Sequence, residues 1–281
     1  MAITATDFKL VCDAVLRRSG IVLEAGKEYL VEARLAMLAK QPGMPSVAMM
    51  IAKLRAHDEV VERAIVDGMT TNETSFFRDV KPFDTFTKFV MPGLLARRSA
   101  EKRLSIWCAA SSTGQEPYAI AMLLRDHFPQ LANWQVTFVA SDLSRPVLEK
   151  ARSGRYTQTE VNRGLPAAML VKHFRKIGLE WEIDPALRKM IDFREVNLLG
   201  SWPAMPPLDI VFIRNVLIYF SPETKRHILE RIRGLMRPDG SLFLGAAETT
   251  LNVDEKFCRL QADQSGCHRI VPVTAARAMA A

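Results

Sequence analysis

The chain has 281 residues, 48% of them hydrophobic and 25% charged, with a formal net charge of +7. This length predicts two domains or one large α/β domain with an appendage. The lack of a membrane-length apolar run and of a basic-then-apolar leader over residues 1–20 excludes spanning and secreted classes and predicts a cytoplasmic protein. The four cysteines, Cys12, Cys108, Cys258 and Cys267, lack metal-ligand spacing and read as reduced thiols, and the positive charge fits an acidic partner, either nucleic acid or an anionic protein surface.

Residues 1–70 read as a small all-α domain. Phe8, Val11, Cys12, Val15 and Leu16 recur at helical spacing, as do Tyr29, Leu30, Ala33, Leu35, Met37 and Leu38, and Pro42, Gly43 and Pro45 separate these from a further helical run over 47–54. Arg17, Arg18, Lys27, Arg34, Lys40, Lys53 and Arg55 outnumber the acids in that stretch, which suits either a docking face for an acidic partner or a solvated helix surface. Residues 71–90 form a linker and helix start. There Thr70-Thr-Asn72-Glu-Thr74-Ser runs into Phe76, Phe77 and Arg78. A guanidinium held beside apolar rings is suited to clamping a carboxylate, whereas the plainer alternative is a helix cap with Arg78 paired to Asp79 or Glu73.

The organising stretch lies at 104–122. An apolar run of strand length from Leu104 to Ala110 is followed by a small-residue turn, Ser111-Ser-Thr-Gly114, and by a helix that Pro117 opens. In a doubly wound α/β sheet this junction holds a nucleotide-like ligand. The turn lacks G-x-G-x-x-G and the Gly-Lys-Ser/Thr of a P-loop, and Glu116 at the helix start would repel a pyrophosphate but attract an ammonium or sulfonium, unless it serves only as a helix N-terminal acid. The next apolar strand, 134–142, ends in Asp142, at the distance where such folds place a ribose-diol acceptor; capping the helix after Ser144 is the alternative.

Over about 155–194 the βα alternation lapses, and short strands at Tyr156, 170–177, 180–183 and 187–193 suggest an antiparallel β-subdomain insertion used for recognition. The core then resumes with Asp192-Phe-Arg-Glu-Val-Asn197-Leu198, where the Asn197 amide suits either an adenine edge or a turn. A buried-type strand from Leu208 leads into Arg214, Asn215, Tyr219 and Phe220 at the same crevice. An amphipathic helix over 223–236, a Pro238-Asp239-Gly240 turn, a closing strand pair (241–245 with 267–271) and a frayed tail over 273–281 complete the second domain, residues 91–281. Trp107 and Cys108, within the first strand, read as core.

Asn72-Glu-Thr74-Ser-Phe-Phe-Arg78, Gly114-Gln-Glu116-Pro-Tyr118, Ala140-Ser-Asp142-Leu143 and Arg214-Asn215-Val-Leu-Ile-Tyr219-Phe220 resemble, in this order, the signatures of the CheR family of chemotaxis receptor glutamate methyltransferases. The resemblance runs from about Thr6 to Val271. It implies a Rossmann-like methyltransferase domain, S-adenosyl-L-methionine as methyl donor with S-adenosyl-L-homocysteine as product and no metal, and a glutamate of a chemoreceptor's cytoplasmic helices as acceptor. By motif position it implies that Asn72, Thr74, Arg78, Glu116, Asp142, Asn197, Leu198, Arg214 and Asn215 bind the donor, with Arg78 and Tyr219 nearest the transferring methyl.

The chemistry required is modest. A glutamate of unperturbed pKa about 4.3 is already ionised at neutral pH, so no general base is needed and the site must strip water and align an oxygen with the methyl. Receptor-tail docking in the family goes with a longer Gly-x-Gly loop in the insertion, whereas Phe174-Arg-Lys-Ile-Gly178-Leu-Glu-Trp-Glu182 has one glycine, which predicts no pentapeptide tether and leaves the basic helical face as the main receptor contact. A nucleic-acid methyltransferase is the rival, weakened because Arg214-Asn215-Val216-Leu217 stands where amino methylation of bases uses an Asp/Asn-Pro-Pro-aromatic turn. A donor-binding adaptor without turnover is the other alternative. No oligomerisation heptad stands out, which predicts a monomer.

Overall fold

A computed structural model describes residues 3–260 and 266–271; the expected frayed tail over 273–281 lies outside the described residues. Four helices come first: α1 (Ala5–Ser19), α2 (Glu28–Leu38), α3 (Val47–Arg55) and α4 (Glu59–Met69). Thr4, Ser46 and Asp58 cap α1, α3 and α4 by accepting backbone N–H bonds, and Gly20 ends α1 in the left-handed conformation. Their apolar stripes close on a core of their own built from Val11, Val15, Val31, Leu35, Met50, Leu54, Ile65 and Met69. Residues 81–97 form one irregular helix in three parts: α5 (Lys81–Thr85), a π turn (Phe86–Val90) and α6 (Met91–Arg97).

The rest is a doubly wound sheet, as the sequence predicts. Its elements are β1 (Arg103–Ala109), α7 (Gln115–His127), β2 (Gln135–Asp142), α8 (Arg145–Ser153), β3 (Arg155–Thr157), α9 (Gln158–Asn162), α10 (Ala167–His173), β4 (Phe174–Ile177), β5 (Glu180–Ile183), α11 (Pro185–Arg188), β6 (Asp192–Glu195), β7 (Leu208–Ile213), α12 (Pro222–Leu235), β8 (Met236–Phe243), β9 (Phe257–Arg259) and β10 (Cys267–Ile270). The seven-stranded sheet runs β6-β2-β1-β7-β8-β10-β9. β6, β2, β1, β7 and β8 are mutually parallel, and β10 lies antiparallel to both its neighbours.

Alternation along the central strands explains why both faces are apolar. Ile106, Cys108, Phe138, Ala140, Ile210 and Phe212 face the layer that contains α7, while Trp107, Ala109, Val139, Val211 and Ile213 face the layer of α12. Trp107 and Cys108 are fully buried, as expected for core positions. At the far edge of the sheet from the site, buried Asp209 accepts from Arg98 Nε and from the Ser105 backbone N–H, both at 2.9 Å.

The sequence reading needs three local corrections. Leu170 to His173 belongs to α10 and Leu187 to α11, helices whose Leu170 and Leu187 pack on the core cluster around α7; only β3, β5 and β4 form the antiparallel three-stranded sheet. The core resumes at Asp192 as expected, since Asp192–Glu195 is the edge strand of the main sheet, so the insertion stops short of the 194 boundary. The Pro238-Asp239-Gly240 turn lies within β8, where five steps of β8 from Met236 to Ser241 oppose two steps of β7 from Leu208 to Ile210, a bulge that accommodates a proline in a strand.

Candidate active site

Register brings the site together. Ala109 lies opposite both Ser141 and Ile213, so the chain leaves β1, β2 and β7 at one edge, and Ala110, Asp142 and Arg214 emerge side by side. Beyond β1 the turn is tightly wound: Ala110 and Ser112 have φ of 54° and 50°, and Gly114, capping α7, has 94°. A Cβ on Gly114 would lie 3.0 Å from the Tyr156 hydroxyl, so this position requires glycine for both conformation and space. Non-glycine residues held at positive φ are costly and gather at sites where the surroundings over-determine them; Phe77, Asp79 and Val80 around Arg78 (φ 48°, 69° and 42°) and Asn215 (59°) belong to the same group.

These edges border a cavity whose empty space, counting the part open to solvent, is about 890 Å³, and all ten residues singled out from the sequence line it: Asn72, Thr74 and Arg78 from the strap after α4, Glu116 from α7, Asp142 from β2, Asn197 and Leu198 from the segment after β6, and Arg214, Asn215 and Tyr219 from the segment after β7. The helical domain contributes Ser19 and Ile21, and α1 is tied on by Asn197 Nδ2 donating to Arg18 O (2.6 Å) and Val22 N–H donating to Tyr219 O (2.9 Å).

Several of these side chains do work that their sequence positions do not reveal. Arg214, with its side chain 1% exposed, is a buried hub: it pairs with Glu116, donates to Asp79 Oδ2 (2.7 Å) and Arg78 O (3.1 Å), and stands 5.8 Å from the Phe83 ring centroid. Glu116 is therefore anchored by a guanidinium, and its other oxygen accepts from the Cys108 thiol at 3.4 Å. Burial, with Glu116 alongside, pushes that thiol well above its ordinary pKa, so Cys108 stays protonated and inert. Asp142 accepts from Ser112 N–H (2.8 Å) and Ser144 N–H (3.0 Å), turn bonds that fix the segment entering α8; burial raises its pKa and these backbone bonds oppose the shift. Asn197, through Nδ2 to Arg18 and Oδ1 from Leu199 N–H (2.9 Å), carries out turn and interdomain bonding. Arg78 donates to Glu73 O at 3.1 Å, beside buried Phe76 and Phe77.

Sequence reasoning missed Glu248. Its carboxylate, in the loop after β8, reaches across to the segment after β7 and accepts from the backbone N–H of Asn215, Val216 and Leu217. Nothing in Gly245-Ala-Ala-Glu248-Thr-Thr marks it, because the contact spans about thirty residues. Ser111 reads from the sequence only as turn material, yet its hydroxyl is buried on the cavity wall without a protein partner.

The helical face is less basic than its composition implies. Arg17 and Arg18 pair with Glu62, Lys27 with Glu24, Lys53 with Asp58 and Arg55 with Asp7, and Arg34 donates to the Met69 and Thr70 carbonyls and the Thr71 hydroxyl. In the insertion, β4 and β5 are joined by the two residues Gly178 and Leu179 alone. Among the described residues no cluster of His, Cys, Asp or Glu could hold a metal ion, and no helix is long and apolar enough to cross a membrane.

Comparison with known proteins agrees over the whole architecture. Residues 6–70 match the family described as the CheR methyltransferase all-alpha domain, and residues 72–265 match the CheR methyltransferase SAM-binding domain. Chemotaxis protein methyltransferase 1 of Pseudomonas aeruginosa is 40% identical over 266 residues, spanning 93% of this chain and 96% of that protein. Chemotaxis protein methyltransferase Cher2 of Pseudomonas putida is 39% identical (86% and 90% covered), and the chemotaxis protein methyltransferase of Escherichia coli 34% identical (92% and 89% covered). With both domain signatures in sequence, in the expected order, and with the motif residues gathered around one cavity, the chain belongs to the CheR methyltransferase family.

Proposed function

We propose that the protein transfers the methyl group of S-adenosylmethionine to glutamate side chains on the cytoplasmic helices of a chemoreceptor, leaving methyl esters and S-adenosylhomocysteine. The observation that carries the donor assignment is the polarity of the cavity. Glu73, Glu116 and Asp142 line it against Arg78 and Arg214, three carboxylates to two guanidiniums, which complements a ligand whose ammonium and sulfonium outweigh its carboxylate. Three buried side-chain atoms of its lining residues, Ser111 Oγ, Arg214 Nε and Asn215 Oδ1, have no partner within the protein. Such orphans ask for a polar ligand. Leu143, Val196, Leu198 and Phe220 provide an apolar wall for a base.

On this reading Glu116, still with acceptor capacity after its bonds to Arg214 and Cys108, and Asn215 receive the donor's ammonium, and Asp142 receives ribose hydroxyls. The donor supplies an electrophilic methyl on sulfur. The chain's residues hold the acceptor carboxylate, already ionised, and exclude water from it. Arg78 and Tyr219 orient one oxygen by hydrogen bonds, a positioning effect worth several kcal/mol of barrier. The two-residue β4–β5 turn supports tether-independent recognition of the receptor, and the cytoplasm is where its helices lie. A nucleic-acid substrate fits less well, since Arg214 is buried in ion pairs and the base-methylating Pro-Pro turn is missing from 214–217.

The test is methyl transfer from labelled S-adenosylmethionine offered in parallel to chemoreceptor cytoplasmic fragments and to bulk RNA and DNA. Base-labile label on the receptor fragment is expected, as a carboxyl methyl ester requires. Label on nucleic acid overturns the substrate, and donor binding without transfer to any acceptor overturns the enzymatic reading in favour of an adaptor.

A further inference from the structure

The segment from Arg214 to Tyr219 carries three of the cavity's polar residues, yet it is too short to hold its own shape. It leaves β7, passes through Asn215 at φ 59°, and makes one turn of 3₁₀ helix over Leu217–Tyr219. The first N–H groups of such a turn have no partner within it. A carboxylate from elsewhere in the chain fills that role: Glu248 Oε1 accepts from Val216 N–H (2.9 Å) and Leu217 N–H (2.7 Å), and Oε2 accepts from Asn215 N–H and Gly245 N–H, both at 2.7 Å.

A second observation bears on the same device. A Cβ on Gly245 would lie 2.7 Å from Asn215 Nδ2, 2.7 Å from Glu248 Oε2 and 2.8 Å from Asn215 N. Glycine at 245 therefore leaves the space through which the carboxylate reaches the strained Asn215. Without the carboxylate, three consecutive N–H groups lose their acceptor and the left-handed Asn215 loses the bond that fixes it.

We propose that Glu248, admitted by Gly245, is a positioning residue for methyl transfer: it sets the backbone that aims Asn215 into the donor cavity and Tyr219 at its mouth. This rests on the donor reading of the cavity. Glu248 acts through the loop, so its loss should disturb donor binding and turnover together while leaving receptor docking on the helical domain and β-subdomain intact.

The experiment measures S-adenosylhomocysteine affinity by calorimetry, steady-state receptor methylation, and the backbone amide proton shifts of ¹⁵N-labelled protein, for the wild type, Glu248→Gln and Gly245→Ala. In the wild type the Asn215 and Leu217 amide protons are expected downfield, as charge-assisted bonds require. In Glu248→Gln they should move upfield, with affinity for S-adenosylhomocysteine weakened about tenfold or more, kcat lowered and the KM for the receptor fragment unchanged. Gly245→Ala, which keeps the carboxylate but displaces it, should reproduce the pattern and serves as the second variant if Glu248→Gln does not fold. Wild-type protein that binds no S-adenosylhomocysteine overturns the donor reading and this inference with it. Wild-type binding matched by both variants, or wild-type amide protons without the downfield shift, overturns the inference alone.

Discussion

Arg214→Met is the perturbation with the most calculable outcome. The arginine side chain is 1% exposed, Glu116 13% and Asp79 38%. Methionine replaces most of the volume, so the cavity contribution is small. Asp79 is exposed enough to regain water and contributes at most about 1 kcal/mol. Glu116 is not, and breaking a buried pair by removing one partner costs about 3–5 kcal/mol because the remaining charge is stranded. The Arg78 carbonyl also loses a charge-assisted bond. The expected loss of about 3–5 kcal/mol is a large part of an ordinary domain's stability of about 5–15 kcal/mol. Urea unfolding followed by circular dichroism measures it, and a cycle with Glu116→Gln separates the pair. The double variant should recover about 1–3 kcal/mol of the loss, because the stranded carboxylate is gone. A loss for Arg214→Met below about 1 kcal/mol, or single changes additive within about 0.5 kcal/mol, would refute the view of Arg214 as a buried electrostatic hub.

Three further outcomes are expected. Asp67, near the domain junction, has its pKa pushed up to about 6 by burial, with Glu195 and Asp142 adding to the rise and Arg63 and Arg145 opposing it. A carboxyl whose folded pKa exceeds its unfolded value of about 3.9 costs stability as pH rises between the two, so Asp67→Asn should match the wild type near pH 4 and exceed it above pH 6, by up to about 3 kcal/mol; equal gains at all pH values in denaturant melts would contradict this. Asp209→Ala should cost about 1–3 kcal/mol by leaving Arg98 Nε and the Ser105 N–H without an acceptor while Arg98 keeps its pair with Asp239, yet leave kcat per folded molecule unchanged, since it sits at the opposite end of β7 from the cavity. Arg78→Ala, which removes one exposed bond to Glu73 O, should change the unfolding free energy by less than about 1 kcal/mol and lower kcat about tenfold to a hundredfold; unchanged donor affinity together with unchanged turnover would rule out its orienting role.

The sequence by itself determined what depends on neighbours along the chain. Helical spacing marked the N-terminal bundle, the continuous apolar runs at 104–110 and 208–213 marked strands buried on both faces, and the strand-turn-helix grammar around Gly114 marked the edge of the sheet where the cavity lies, because each of these is set by local periodicity and turn chemistry. The motif residues were legible as a set, and the fold gathers that set around one cavity. Only the tertiary structure decided what those residues touch. Arg214 and Glu116, 98 positions apart, neutralise each other in the interior, Asn197 binds the carbonyl of Arg18, and the basic residues of the helical domain are mostly spent on nearby carboxylates. The Pro238-Asp239-Gly240 segment reads as a turn by composition, yet pairing with β7 draws it into a bulged strand. Glu248 shows the limit most clearly: a carboxylate has no periodicity, and its role exists only because β7 and β8 lie side by side and bring the loops that follow them within hydrogen-bonding distance.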